Sequence, residues 1–256
     1  MKQIKVAPEE HIKFIDESKL PLITNPFKEE WNHYEHSHNK TQITFVDNGL
    51  LKVNIDNQIY LITSGFLILI PPKFNHSVEI QKNSKLLTVF TETQLMIKPN
   101  CIMATPFLKS LLIKLDNTFP NEQLPKQLAN SFSEILKHEI KDISSETNYK
   151  MLVPKNKKLV SIISYIDAHL SEKLSLSDIS SRFFISDRHL SRLFKNETGL
   201  SFSDWIQKYK FLISVNRLSV AKSTTVVAKE LGYDSDSSFI KMFKKFSNGK
   251  TPSNFF

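Results

Sequence analysis

At 256 residues the chain is long enough for two domains of ordinary size, each burying its own core. The net charge of +8 is unevenly placed: residues 1–154 hold 17 Lys+Arg against 17 Asp+Glu, whereas residues 155–256 hold 17 against 9, so a neutral half is joined to a basic half that asks for an anionic partner, nucleic acid or a membrane surface. The single cysteine, Cys101, excludes an internal disulfide framework and fits a reducing compartment. No apolar run approaches the roughly 18 residues of a membrane span, and charges interrupt the start "MKQIKVAPEEHIKF" too often for a signal-peptide core, so a cytoplasmic protein is expected.

From Gln42 to Val78 short apolar runs alternate with turn signals. "QITFV" leads to the turn "DNG", then "LLKVNI", the turn "DNQ", "IYLI", the turn "TSG", and "FLILI", stopped by Pro71 and Pro72. Many short strands with such turns predict a sandwich or small barrel. Beyond Cys101 the pattern turns helical, in "TPFLKSLLIKLDN" and in "NEQLPKQLANSFSEILKHEIKD", where Pro125 marks the expected start of the second helix. This helical stretch, 104 to 142, offers a surface for a homodimer or an internal packing element.

Four of the eight histidines fall between positions 33 and 76. Residues of equal parity share one face of a strand, so His36, His38 and Gln42 project together. His76 arrives from another strand to complete the cluster, while His33 is expected to be exposed.

The spacing resembles the two motifs of the cupin family. His36, His38, Gln42 and Gly49 fit the first, and Gly65, Pro71, Lys73 and His76 fit the second. Gln42 stands where the family has an acid, Lys73 where it has glycine and Ile80 where it has asparagine. The resemblance implies a barrel in which His36, His38, Gln42 and His76 hold a divalent metal (zinc, iron, manganese or nickel) or line a small-ligand pocket without one. An amide oxygen is a weaker ligand than a carboxylate. The plain alternative is a set of histidines on a solvated face or hydrogen-bonded in the interior.

The polar stretch "DISSETNYKMLVPKNKK" reads as a hinge, dividing an N-terminal domain at 1–142 from a helical domain at 158–256 by a linker at 143–157. The helical part contains a repeat: adding 49 to Ser186, Leu190, Arg192, Leu193, Phe194 and Lys195 gives Ser235, Phe239, Lys241, Met242, Phe243 and Lys244. In each copy the apolar residues make one stripe, and Arg188, Ser191, Arg192 and Lys195, or Ser237, Lys241 and Lys244, lie away from it. A shorter helical run and a turn precede each copy, which is the helix-turn-helix arrangement.

The stretches "SDRHLSRLFKNETGLSFSDWIQ" and "VVAKELGYDSDSSFIKMFKKF", followed by "TP", resemble the AraC/XylS family of transcription regulators over residues 158 to 256. Phe184 stands where the family has a turn glycine and Lys210 where it has arginine. The resemblance implies an α+β protein with an N-terminal cupin-like barrel and a C-terminal all-α domain carrying two helix-turn-helix units. It places base readers at Arg188, Ser191 and Arg192 on the first recognition helix and at Asp236, Ser237 and Lys241 on the second. Asp236 is either a cytosine reader or a charge favoured by the helix N-terminus. Lys195 and Lys244 complete the DNA-binding set, whereas Lys245 and Lys250 are expected to be solvated. The implied function is a ligand-responsive activator, acting as a homodimer on double-stranded promoter DNA with a small-molecule inducer and with RNA polymerase as a further partner. The alternative is a metal-dependent cupin enzyme with a helical appendage.

Overall fold

The computed structural model describes residues 8–18, 22–24, 35–56, 58–80, 84–118, 124–144, 149 and 151–255. The chain divides into two units, residues 1–150 and 151–256.

The first unit runs through α1 (Pro8–Glu17), β1 (Leu22–Thr24), β2 (Thr41–Asn48), β3 (Leu50–Ile55), β4 (Gln58–Thr63), β5 (Phe66–Ile70), β6 (His76–Ile80), β7 (Lys85–Thr91), β8 (Asn100–Met103), α2 (Pro106–Thr118) and α3 (Lys126–Ser144). Five antiparallel strands form one sheet in the order β1-β7-β2-β5-β8, and a second sheet places β3 between β6 and β4. Among the described residues the strand pairs do not close into one ring, so the expected barrel is a pair of sheets. Strand β3 alternates, with Leu51, Val53 and Ile55 buried and their neighbours half-exposed, as a sheet with one wet face requires. Strand β2 is buried from Thr41 to Val46 because both of its faces are covered. Its odd positions, Ile43 and Phe45, join Leu67, Leu69, Leu87, Val89 and Ile102 in a core capped by Leu108, Leu112 and Leu115 of α2 and Leu136 and Ile140 of α3. Its even positions, Gln42 and Thr44, therefore face the other way. Helix α3 begins beside Pro125, as the sequence predicts, and reaches Ser144.

The second unit contains β9 (Met151–Val153), α4 (Lys157–Ala168), α5 (Leu176–Arg182), α6 (Asp187–Thr198), α7 (Phe202–Ala221), α8 (Thr224–Glu230), α9 (Asp236–Phe246) and a closing turn of 3-10 helix at Pro252–Phe255. Strand β9 thus lies within the stretch read as a hinge. Helices α5 to α9 all start on a serine N-cap, Ser175, Ser186, Ser201, Ser223 and Ser235, whose hydroxyl accepts an otherwise orphaned backbone N–H. The 20-residue α7 is the spine. Phe202 and Trp205 at its start pack on Phe194 of α6, with ring centroids 5.1 and 5.6 Å away, and Phe211 packs on Phe243 of α9 at 5.0 Å. Each buried ring contributes about 2–3 kcal/mol of hydrophobic stabilisation.

The helix pairs α5–α6 and α8–α9 are the two repeats, but they are not copies at one offset. Helix α8 follows α5 by 48 residues and α9 follows α6 by 49, because the first turn is Phe183–Ser186 and the second Leu231–Ser235. Both turns pass through left-handed backbone, Phe184 at φ 52° and Gly232 at φ 73°. A Cβ on Gly232 would lie 2.3 Å from the Ser171 carbonyl oxygen, so this turn is closed to any side chain. Phe184 points into solvent, 93% exposed, and meets only the backbone cost of its own conformation.

Candidate functional site

In the first unit, β2 delivers Gln42 to the point where His38 and His76 converge. His38 lies just before the bend that leads into β2 and His76 begins β6, so the cluster joins the two sheets. His36 pairs through its backbone with His76, N–H to carbonyl at 2.9 Å in both directions, which brings its ring centroid to 4.2 Å from that of His76. The expected convergence of His36, His38, Gln42 and His76 is therefore present, although the equal-parity strand invoked for it starts only at Thr41. His33 lies outside the described residues.

One ring nitrogen from each of His36, His38 and His76 lies within 4.8 Å of the others. His38 Nδ1 lies 2.6 Å from the Lys40 carbonyl and His76 Nδ1 lies 2.9 Å from the Phe74 carbonyl. A carbonyl only accepts, so each Nδ1 carries a proton and donates it. Both Nε2 atoms then face inward, each 3.0 Å from Gln42 Oε1. Imidazoles held from behind by carbonyls, with their other nitrogens converging, suit a borderline divalent cation such as zinc, iron, manganese or nickel. The donor set fits such an ion, with His36, His38 and His76 as nitrogen ligands and Gln42 as an oxygen ligand.

Burial holds the His38 imidazole below its ordinary pKa, and it holds His76 down at about 3, with the His36 charge adding to the effect. A third buried imidazole, His11 of α1, is pushed down to about 3 by burial first and then by His36 and His38. His11 and His38 both set their edges against Phe90, at 6.2 and 5.1 Å. Helix α1 is fixed there by Asp16, which accepts from Asn39 N and Nδ2 at 2.6 and 2.9 Å, while the buried Lys40 ammonium donates to the Ser18 carbonyl at 2.7 Å. Sequence reasoning missed His11, which belongs to no motif. The available signal was its spacing of four from Ile15, one buried face of a short helix. It also missed Thr44 and Thr88: Gln42 Nε2 donates to Thr44 Oγ1 at 2.9 Å, and the two threonine hydroxyls lie 3.1 Å apart.

In the second unit, Leu190 and Phe194 of α6 and Phe239, Met242 and Phe243 of α9 are buried, with Leu193 half-buried. On the opposite faces Arg188, Ser191, Arg192 and Lys195, and Ser237, Lys241 and Lys244, are exposed. A cleft of about 720 Å³ has Ser191 of α6 and Ser238 of α9 in its wall, so both helices border one depression. The Arg192 guanidinium donates to His189 Nδ1 at 3.3 Å, one turn earlier. Lys195 Nζ donates to the Gly199 carbonyl at 3.0 Å, capping the C-terminal end of α6. Asp236 opens α9 and accepts from Thr225 Oγ1 of α8 at 2.5 Å; Asp187 opens α6 and accepts in the same way from Ser180 of α5. Lys245 is exposed, as expected, and its ammonium also donates to Asp204 at 2.8 Å and to Gln207 at 3.3 Å of α7. Lys250 is exposed.

Family models match the chain in two blocks, an AraC-like ligand binding domain over residues 27–147 and a helix-turn-helix domain over residues 179–256. The chain belongs to the AraC family. This AraC-family protein is a DNA-binding transcription regulator with a ligand-binding domain. Its relatives include the HTH-type transcriptional regulator NimR of Escherichia coli, 26% identical over 220 residues, which covers 85% of this chain and 80% of NimR. Regulatory protein PocR of Salmonella typhimurium is 32% identical over 94 residues, 36% of this chain and 31% of PocR. Among solved structures, ToxT of Vibrio cholerae with an unsaturated fatty acid bound is 16% identical over 91% of this chain and 94% of its own, with a TM-score of 0.40. No helix among the described residues is long and apolar enough to cross a membrane.

Proposed function

We propose that this regulator is a cytoplasmic, ligand-responsive activator that reads two successive major grooves on one side of promoter DNA. The observation that carries the reading is the pair of serine-capped helices, each with an exposed polar and basic face opposite its buried stripe. Arg188, Ser191 and Arg192 on α6, and Ser237 and Lys241 on α9, are the base-reading set, with the grooves about 34 Å apart. Lys195 and Lys244, nearer the C-terminal ends, serve phosphates. The Thr225 bond and the helix start support Asp236 as an N-terminal charge rather than a base reader. The domain division at 143–157 is part of the proposal, as is homodimerisation through the helical stretch. Leu128 and Ile135, seven residues apart on α3, and Phe107 on α2 are exposed apolar groups that support it. A bound inducer then alters the pose of the paired readers, and RNA polymerase receives the result.

The histidine cluster is the proposed sensing point, taking a divalent cation or a polar small molecule. NimR is a transcriptional regulator and PocR a regulatory protein, which supports regulation over the metal-dependent enzyme alternative.

Footprinting on the DNA upstream of its own and adjacent genes tests the reading. Two protected major-groove patches one helical turn apart are expected. Arg192→Ala should weaken binding by about 1–3 kcal/mol and relax preference at one base pair, whereas Lys195→Ala should weaken all sequences alike and lower the salt slope by about one. Unchanged affinity and base preference in Arg192→Ala would remove α6 from the interface.

A further inference from the structure

Two imidazole lone pairs pointing at a carbonyl oxygen repel it, and that is the arrangement left once His38 and His76 donate from Nδ1 to the Lys40 and Phe74 carbonyls. Protonating both rings would cure the repulsion at the cost of two adjacent cations, with ring centroids 5.1 Å apart, both buried. Turning the Gln42 amide over cures it without charge. An amide's two ends have the same shape, and its nitrogen carries two protons, one for each Nε2. The amide oxygen then faces Thr44 Oγ1, which can donate to it and accept from Thr88, its cross-strand partner in β7.

We propose that Gln42 is a two-way ligand: its amide nitrogen faces His38 and His76 when no metal is bound, and its oxygen faces inward when a divalent cation occupies the three-histidine site. The proposal rests on the metal reading of that site. A cation bound to the Nε2 atoms needs an electron pair from Gln42, which only the oxygen supplies. The turned amide then donates to Thr44 Oγ1, and Thr44 donates to Thr88. Cation binding thus reverses the donor direction along Gln42–Thr44–Thr88, from the cluster into the pairing of β2 with β7.

The experiment is NMR on the full-length 15N-labelled protein, stripped of metal and then given one equivalent of Zn²⁺, following the imidazole nitrogens and the Gln42 side-chain amide. Without metal, both rings are expected in the Nδ1–H form, and the Gln42 NH₂ protons should show contacts to both imidazoles. With Zn²⁺ those contacts should vanish and be replaced by contacts to Thr44. An Nε2–H form of either ring in the stripped protein overturns the proposal and leaves the metal site standing, as does bound Zn²⁺ with the amide contacts unchanged. Imidazole signals that Zn²⁺ does not move overturn both. Gln42→Glu supplies an independent check: a carboxylate has no turned form, so it should bind Zn²⁺ at least tenfold more tightly than wild type, and equal affinity counts against Gln42 as a ligand.

Discussion

At the scale of single residues, the first unit stores an acid sensitivity. His11 and His76 are held down to about 3 by burial, well below the 6.5 of a solvated imidazole. The unfolded chain therefore binds protons that the folded one refuses. Stability is complete above about pH 6.5 and is lost as the pH falls toward 3, by up to about 1.4 kcal/mol per pH unit for each group. Denaturant unfolding at pH 7, 6 and 5 should show a falling midpoint for the first unit, and His11→Phe should reduce the slope. A midpoint that does not move between pH 7 and 5 means the two imidazoles are solvated. The cluster itself was legible in the sequence because His36, His38, Gln42 and His76 keep a recognisable spacing. His11 was not, because it reaches the cluster through the packing of α1, with Ile15 against Phe90, and a lone histidine far upstream announces no such contact.

At the scale of elements, the two left-handed turns invite opposite substitutions. Phe184→Gly removes the cost of an L side chain at φ 52° from a position where the ring touches nothing, and should stabilise the second unit by about 1 kcal/mol, partly offset by the freer unfolded chain. Gly232→Ala drives a methyl group into the Ser171 carbonyl and should cost more than about 2 kcal/mol. Thermal unfolding of the two variants beside wild type decides the matter, and a shift of the same sign in both would refute the contrast. The sequence made the recognition helices plain, since stripe, serine cap and basic face recur at one offset. It made β2 to β5 plain through their turns. Strands β7 and β8 carried no comparable punctuation. Strand β7 nonetheless lies inside its sheet, and its place between β1 and β2 depends on long-range pairing that no local pattern encodes.

At the scale of the whole molecule, the uneven charge and the division into two compact units make the second unit a candidate to work alone. A fragment of residues 151–256 should fold cooperatively and bind DNA, more weakly than the whole protein if the first unit dimerises, because paired sites raise effective concentration. Circular dichroism and gel-shift titration at low salt are the measurements; a folded fragment without DNA affinity would place essential contacts in the first unit. The fold class and the break between a neutral and a basic half could be read from charge and texture. The short strand β9 could not, since three residues bounded by polar sequence give no periodicity. The unequal turns, finally, set the rule for retargeting the protein. Transplanting the first reading surface into the second place must be done at the offset of 49, residues 186–195 into 235–244, leaving Leu231–Asp234 untouched. A cassette cut one helix earlier, at the offset of 48, would arrive a residue short, turn the imported surface by about 100° around its axis, and carry Ser191 and Lys195 into positions 239 and 243, where Phe239 and Phe243 are buried.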